Sequence, residues 1–238
     1  MSSACPPPRR VIVAALAAAL LLSPAASSLA APSDALIPLE SYSTVKGKTL
    51  ATTYQTDLVH LYEHVYNCLP WLIVRNHTLG FPRPKDSAAD DRYLSIMIDV
   101  DQMDPDGAFA ALPRQRRISA MFSRHGVYLL KQMQALSTLA ADTNVTGYGV
   151  ALSWPKPGTP ANQPKAETVA VFVDKTTLVD YLAKKLPGNE FISRAKLSFF
   201  DGNEIASPVP VEVWEDSFNS TFKLKNYEPP KGSNCTTG

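Results

Sequence analysis

The sequence predicts a single α+β domain, and two observations carry that reading. Between residues 93 and 200 the hydrophobic period changes in the order strand, helix, strand, strand, helix, strand. The twenty prolines of the 238-residue chain gather between these periodic segments and not within them. With 45% hydrophobic and 19% charged residues, the composition is that of an ordinary globular protein long enough for one sizeable core with appendages.

Taken from the start, Arg9 and Arg10 precede an apolar run at 11–22 and a small-residue stretch ending Ser28-Leu29-Ala30, the three-part form of a secretory signal peptide. Residues 1–30 are therefore expected to be a leader cleaved after Ala30. The run is shorter than the roughly 20 apolar residues that span a bilayer as a helix, so no stable membrane span is expected after leader removal. Cys5 lies ahead of the run and makes no lipoprotein acceptor. The mature protein is expected to be secreted or periplasmic. Residues 31–48 are polar and read as a flexible arm, 49–226 as the single α+β domain, and 227–238 as a tail without period.

Within the domain, a helix over 49–69 carries Tyr54, Leu58, Leu61, Tyr62, Val65 and Leu69 on one face, and Pro70 ends it. Residues 71–74 form a short strand or a buried connection. Leu94, Ile96, Ile98 and Val100 alternate with Tyr93, Ser95, Met97 and Asp99, which is a strand with one core face. Pro113 opens a long helix with an apolar stripe at Ile118, Phe122, Leu129, Met133, Leu136 and Ala140, and Gly126 near its middle marks a kink. Tyr148, Val150, Leu152 and Trp154, then Val169, Val171 and Val173, give two more strands joined by a proline-rich connection at 155–167. Asp174 or Thr176 caps a helix with Leu178, Val179, Leu182 and Leu186 on one face and Gly188 as its stop. Residues 196–200 are a fourth strand, and Asp201-Gly202 is a turn signal. Val209, Val211 and Val213 alternate, but Pro208 and Pro210 confine them to a sheet edge.

A β-α-β-β-α-β order resembles the ferredoxin-like pattern, in which both helices cover one face of an antiparallel sheet. The expected architecture is that core with an extra N-terminal helix and a C-terminal edge strand. Many unrelated functions use this pattern, so it carries no chemistry.

A net charge of +1, with no basic run beyond residues 114–117, argues against nucleic acid as the partner. After leader removal Cys68 and Cys235 are the two cysteines left, and in an oxidising compartment they are expected to form a disulfide. Asn76, Asn144, Asn219 and Asn234 open N-x-S/T sequons, which are glycan acceptors in a eukaryotic secretory pathway.

His60-Leu61-Tyr62-Glu63-His64 matches H-x-x-E-H and resembles the zinc helix of the inverzincin peptidases. The resemblance implies His60 and His64 as zinc ligands with Glu63 beside them, and Asp99, Asp101 and His125 are the residues to test as a third ligand. The helical period, however, puts the two imidazoles about 200° and 240° from Leu58, on the solvent side. Asp99, Asp101, Asp104 and Asp106 crowd the end of a strand, without the spacing of a helix-loop-helix calcium loop. Residues 43–46 and 220–223 both read S-x-x-K and resemble the nucleophile motif of penicillin-recognising serine enzymes, but the companion S-D-N and K-T-G elements are missing. His125 lies on the apolar helix face as a core histidine, and Arg114, Arg116 and Arg117 form a patch expected to pair with the Asp-rich turn.

No catalytic residue set or cofactor signature emerges. The reading is an exported, non-catalytic α+β domain that binds a protein partner or a small ligand, with Trp214 and Tyr227 as surface contacts. A metal-dependent hydrolase using the H-x-x-E-H helix is the alternative from another class. A cell-envelope structural protein, associating through the edge at 209–213, is the third.

Overall fold

The computed structural model describes residues 32–84, 87, 89–100, 107–160, 162–163, 165–202, 207–208, 211 and 235. The expected leader, the aspartates after Val100, the second S-x-x-K, Trp214, Tyr227 and most of the expected edge strand lie outside the described residues.

Six strands form one mixed sheet in sequence order: β1 (Leu72–Val74), β2 (Tyr93–Val100), β3 (Gly147–Pro155), β4 (Ala166–Asp174), β5 (Lys196–Asp201) and β6 (Ser207–Pro208). β2 and β3 pair in parallel and every other pair is antiparallel. Alternation sorts the side chains. Leu94, Ile96, Ile98, Val100, Tyr148, Val150, Leu152, Trp154, Val169, Val171 and Val173 share one face and are all buried, because the helices pack there. The opposite face carries Ser95, Met97, Asp99, Gly149, Ala151, Ser153, Thr168, Ala170 and Phe172, smaller or more polar, and only partly covered.

This is an α+β fold, but the ferredoxin-like strand order is not the one found. That order splits the crossover-linked strands with a third strand and needs both edges of β2 for later strands. Here β1 occupies one edge of β2, with Leu72 opposite Val100, so β3 takes the other edge directly and in parallel. Between β4 and β5 the chain makes two short helices, α7 (Lys175–Leu182) and α8 (Gly188–Arg194), that pack on each other. Such an out-and-back excursion returns the chain to the end it left, so β5 pairs antiparallel with β4. Asp174 caps α7 by accepting from Thr177 N at 2.8 Å. Its helix stops at Leu182, Lys184 takes the left-handed φ of 59°, and Gly188 opens α8 instead of stopping α7.

Of the expected loose arm at 31–48, residues 32–48 are described, and they pack against the sheet edge through Leu36, Ile37 and Tyr42. They contain the short helix α1 (Pro32–Ala35), a 3-10 turn at Leu39–Ser41 and the start of α2 (Val45–Thr53). Ala35 and Tyr42 are buried, and Tyr42 Oη accepts from Phe81 N at 3.0 Å. Buried Arg92 donates to Phe81 O, to Thr44 Oγ1 at 2.6 Å and to Asp90 at 2.7 Å, while Lys46 Nζ donates to Asp90 O. Thr44, which reads as solvated, is a partner of this buried guanidinium, and Lys46 binds the backbone of its partner Asp90. The helix expected over 49–69 is two helices, α2 and α3 (Gln55–Cys68), which meet at Tyr54 after the β-branched Thr52-Thr53 pair.

The long helix expected from Pro113 is also segmented. α4 (Arg114–Met121) runs into a π-turn at Phe122–Gly126, then α5 (Val127–Gln134) and α6 (Ser137–Ala141). Gly126 sits where the kink is expected. A Cβ there would lie 2.4 Å from the Phe122 ring, so the turn needs glycine for close approach. Cys68 and Cys235 lie at disulfide geometry with Cα atoms 5.4 Å apart, pinning the tail to the end of α3.

Candidate functional site: the cleft across β1–β4

The H-x-x-E-H helix does not form a metal centre among the described residues. His60 and Glu63 are exposed on α3, but His64 is half-buried: its Nε2 is 2.9 Å from Tyr128 Oη, and the two rings stack at 6.2 Å. Burial lowers its pKa. The expectation that both imidazoles stay in water thus fails for His64, because α5 lies alongside the flank of α3 that the helical period leaves to solvent. Asp99 lies on the open sheet face, gripped by the Arg75 guanidinium, and His125 is buried in the π-turn. No three His, Cys, Asp or Glu side chains come close enough to hold a metal among the described residues.

Burial, aided by the Arg124 charge, pushes the His125 pKa down to about 3, so it is a neutral core histidine. In the first S-x-x-K copy, Ser43 is exposed and the Lys46 amine is committed to Asp90 O, so the two make no activated nucleophile. Arg114 lies over the Phe199 ring at 5.1 Å.

Arg117, expected to face the Asp-rich turn, reaches instead across to Glu167 at the start of β4. It makes a two-pronged ion pair, with Nε 2.8 Å from Oε2, and also donates to Leu112 O. Glu167 is 0% exposed and accepts a further bond from Trp154 Nε1 at 2.8 Å. The sequence does carry a signal for this carboxylate. Glu167 falls in phase with Val169, Val171 and Val173, the core-facing positions of β4, where a charge needs a buried partner.

Above this buried pair, on the open face, a shallow cleft of about 250 Å³ crosses the sheet. One rung of the sheet, Ile73 opposite Asp99 opposite Ser153, runs along its floor. Arg75 and Asp99 close one side, and Pro155, Lys165 and Ala166 the other. The cleft lies at the carboxyl ends of the parallel pair β2 and β3, where ligands of open α/β sheets gather. Arg75 also donates to Met97 Sδ at 3.4 Å, and Lys156 pairs with Asp201 at 2.6 Å. The floor is small because Ser153 opposes Thr168, whose hydroxyl donates to Ser153 Oγ at 2.9 Å. None of these cleft residues except Asp99 stands out in the sequence, since the lining is drawn from four strands.

No family model, curated protein or solved structure matches this chain.

Proposed function

We propose that this chain is an exported binding domain with no catalytic role, and that it takes a small ligand in the cleft across β1–β4. The observation that carries this reading is the contrast between that cleft and the buried or half-buried ion pairs of the fold. Arg92–Asp90, Arg117–Glu167 and Lys156–Asp201 are satisfied internally and serve packing, whereas the cleft presents side chains from four strands to solvent. The two sequons within the described residues, Asn76 and Asn144, are exposed. Export rests on the leader pattern of residues 1–30, and the Cys68–Cys235 pair supports it, since such bonds persist in oxidising compartments.

The binding reading is tested by titrating a small-molecule extract of the exported fraction into isotope-labelled protein and following backbone amides by NMR. Shifts grouped at residues 73–75, 97–100, 153–155 and 165–168 are expected. Shifts grouped on α3, or none at the cleft, would refute it. N-terminal sequencing of the exported protein tests the leader: the chain is expected to begin at Ala31, and recovery of Met1 or Ser2 would contradict cleavage.

A further inference from the structure

The described helices pack on one face of the sheet, and the surface they turn outward is polar, with His60, Glu63, Lys131, Lys184 and Glu190 exposed. The open face is different towards its middle. The pairing there lays one rung across the strands, Ser198 opposite Ala170 opposite Ala151 opposite Met97. Its mostly small side chains make a furrow. Phe172 and Phe200, each two residues further along its strand, stand on either side of that furrow because β4 and β5 are antiparallel. The Phe172 ring lies over Gly149, where a Cβ would come within 2.7 Å of it, and meets Tyr93 edge-on at 5.5 Å. The furrow is therefore apolar over most of its floor and on both rims, a surface that a soluble chain rarely leaves uncovered.

Two described points of the chain bracket this furrow. At one edge of the sheet Pro208 of β6 stands opposite Ser198, the first residue of the rung. At the other edge Cys235 is bonded to Cys68, four residues ahead of β1. Val211 and Cys235 are both half-buried against the core, so each end of the intervening segment lies on the body of the protein. Six strands at their usual spacing make the sheet roughly 24 Å wide, and the 26 residues 209–234 are long enough to cross it with slack. From the furrow and its two ends we infer that residues 209–234 are a strap, which crosses the open face from β6 to Cys68 along the Ser198–Met97 rung. Trp214, Phe218, Phe222 and Leu224 of this segment supply the apolar cover. The polar outer surface of the helices offers them no comparable seat. A second copy of the chain is the competing occupant, but a segment tethered at both ends meets the furrow at a far higher effective concentration. The furrow lies one rung away from the Asp99–Ser153 floor of the cleft, so the inference stands without the binding reading.

Two measurements on the disulfide-bonded chain test it. A nitroxide is placed at Lys196→Cys, an exposed open-face position paired with Phe172, or at Lys131→Cys, exposed on α5, and amide broadening is followed by NMR. Amides of residues 214–226 are expected to broaden from position 196 and not from position 131. Broadening from position 131 instead, or from neither, would overturn the inference. So would broadening that passes only between spin-labelled and isotope-labelled copies in a mixed sample, which would assign the face to a second copy. The second measurement is trypsin cleavage at Lys223 and Lys225. The parent is expected to resist it, and Ala170→Arg, which puts a charge in the furrow, is expected to be cut at least about tenfold faster while Lys131→Glu is not. Parent cleavage as fast as that of a free peptide of the same sequence, or no acceleration in folded Ala170→Arg, would also overturn the inference. Where Ala170→Arg does not fold, the two nitroxide positions and the parent's cleavage rate decide it.

Discussion

Replacing Arg117 with Met is expected to cost about 3–5 kcal/mol of stability. Glu167 is 0% exposed and its carboxylate is held by the two-pronged Arg117 pair plus one bond from Trp154 Nε1. Without Arg117 the charge stays buried with one donor, and Leu112 O loses its donor as well. Met fills much of the space of the arginine stem, so the loss reports the charge and not a cavity. In a domain of this size each kcal/mol moves the midpoint by roughly 2–4 °C, which places the variant about 6–20 °C below the parent. Urea denaturation followed by tryptophan fluorescence is the assay, because Trp154 lies on the affected carboxylate. Adding Glu167→Gln to Arg117→Met is expected to recover more than half of the loss, since the neutral amide needs no countercharge. A single-variant loss below about 1 kcal/mol, the range of an exposed pair, would refute the assignment of this contact as a buried ion pair that anchors α4 on β4.

Three further outcomes follow from the packing. Tyr148 Oη is buried with no hydrogen-bond partner among the described residues and its pKa is pushed up to about 12 by burial, so Tyr148→Phe is expected to stabilise the fold by about 1 kcal/mol; a loss of similar size would point to a hidden partner. His125 has a folded pKa of about 3 against an ordinary 6.5, so the unfolded chain binds the extra proton, and stability is present above pH 6.5 and lost as pH falls towards 3. The slope is expected to approach about 1.4 kcal/mol per pH unit below pH 6. His125→Leu is expected to flatten it, leaving the smaller His64 contribution of the same sign; an unchanged slope between pH 6 and 4.5 in denaturation curves would refute this. Cys68→Ser is expected to cost up to about 5 kcal/mol in the chain-entropy view of a bond joining residues 167 apart, with no loss on reduction of the variant; equal stability of the reduced and oxidised parent would contradict it.

The strands were legible because their alternation survives burial on one face, as in the Val169, Val171 and Val173 series. Their order was not, because it depends on which strand claims the second edge of β2, and the three residues of β1 carry no pattern that says so. The arm at 31–48 looked solvated because Thr44 and Lys46 are polar, and only the fold reveals that buried Arg92 and its partner Asp90 need them. The kink at Gly126 could be read, since glycine inside an apolar stripe is itself a signal. His64 could not be placed, because a helical wheel reports one helix and the covering Tyr128 comes from another. The cleft was the least legible feature. Its lining is drawn from four strands and spread over 94 positions, from Ile73 to Ala166.

Ligand binding at the cleft, as against metal chemistry on α3, is tested most directly by native mass spectrometry of the chain isolated from its own exported fraction without a metal-affinity tag. The expected result is a fraction of the chain carrying a small organic adduct, with no zinc mass. About one zinc per chain, lost on replacing His60 or His64 with Ala, would contradict the account.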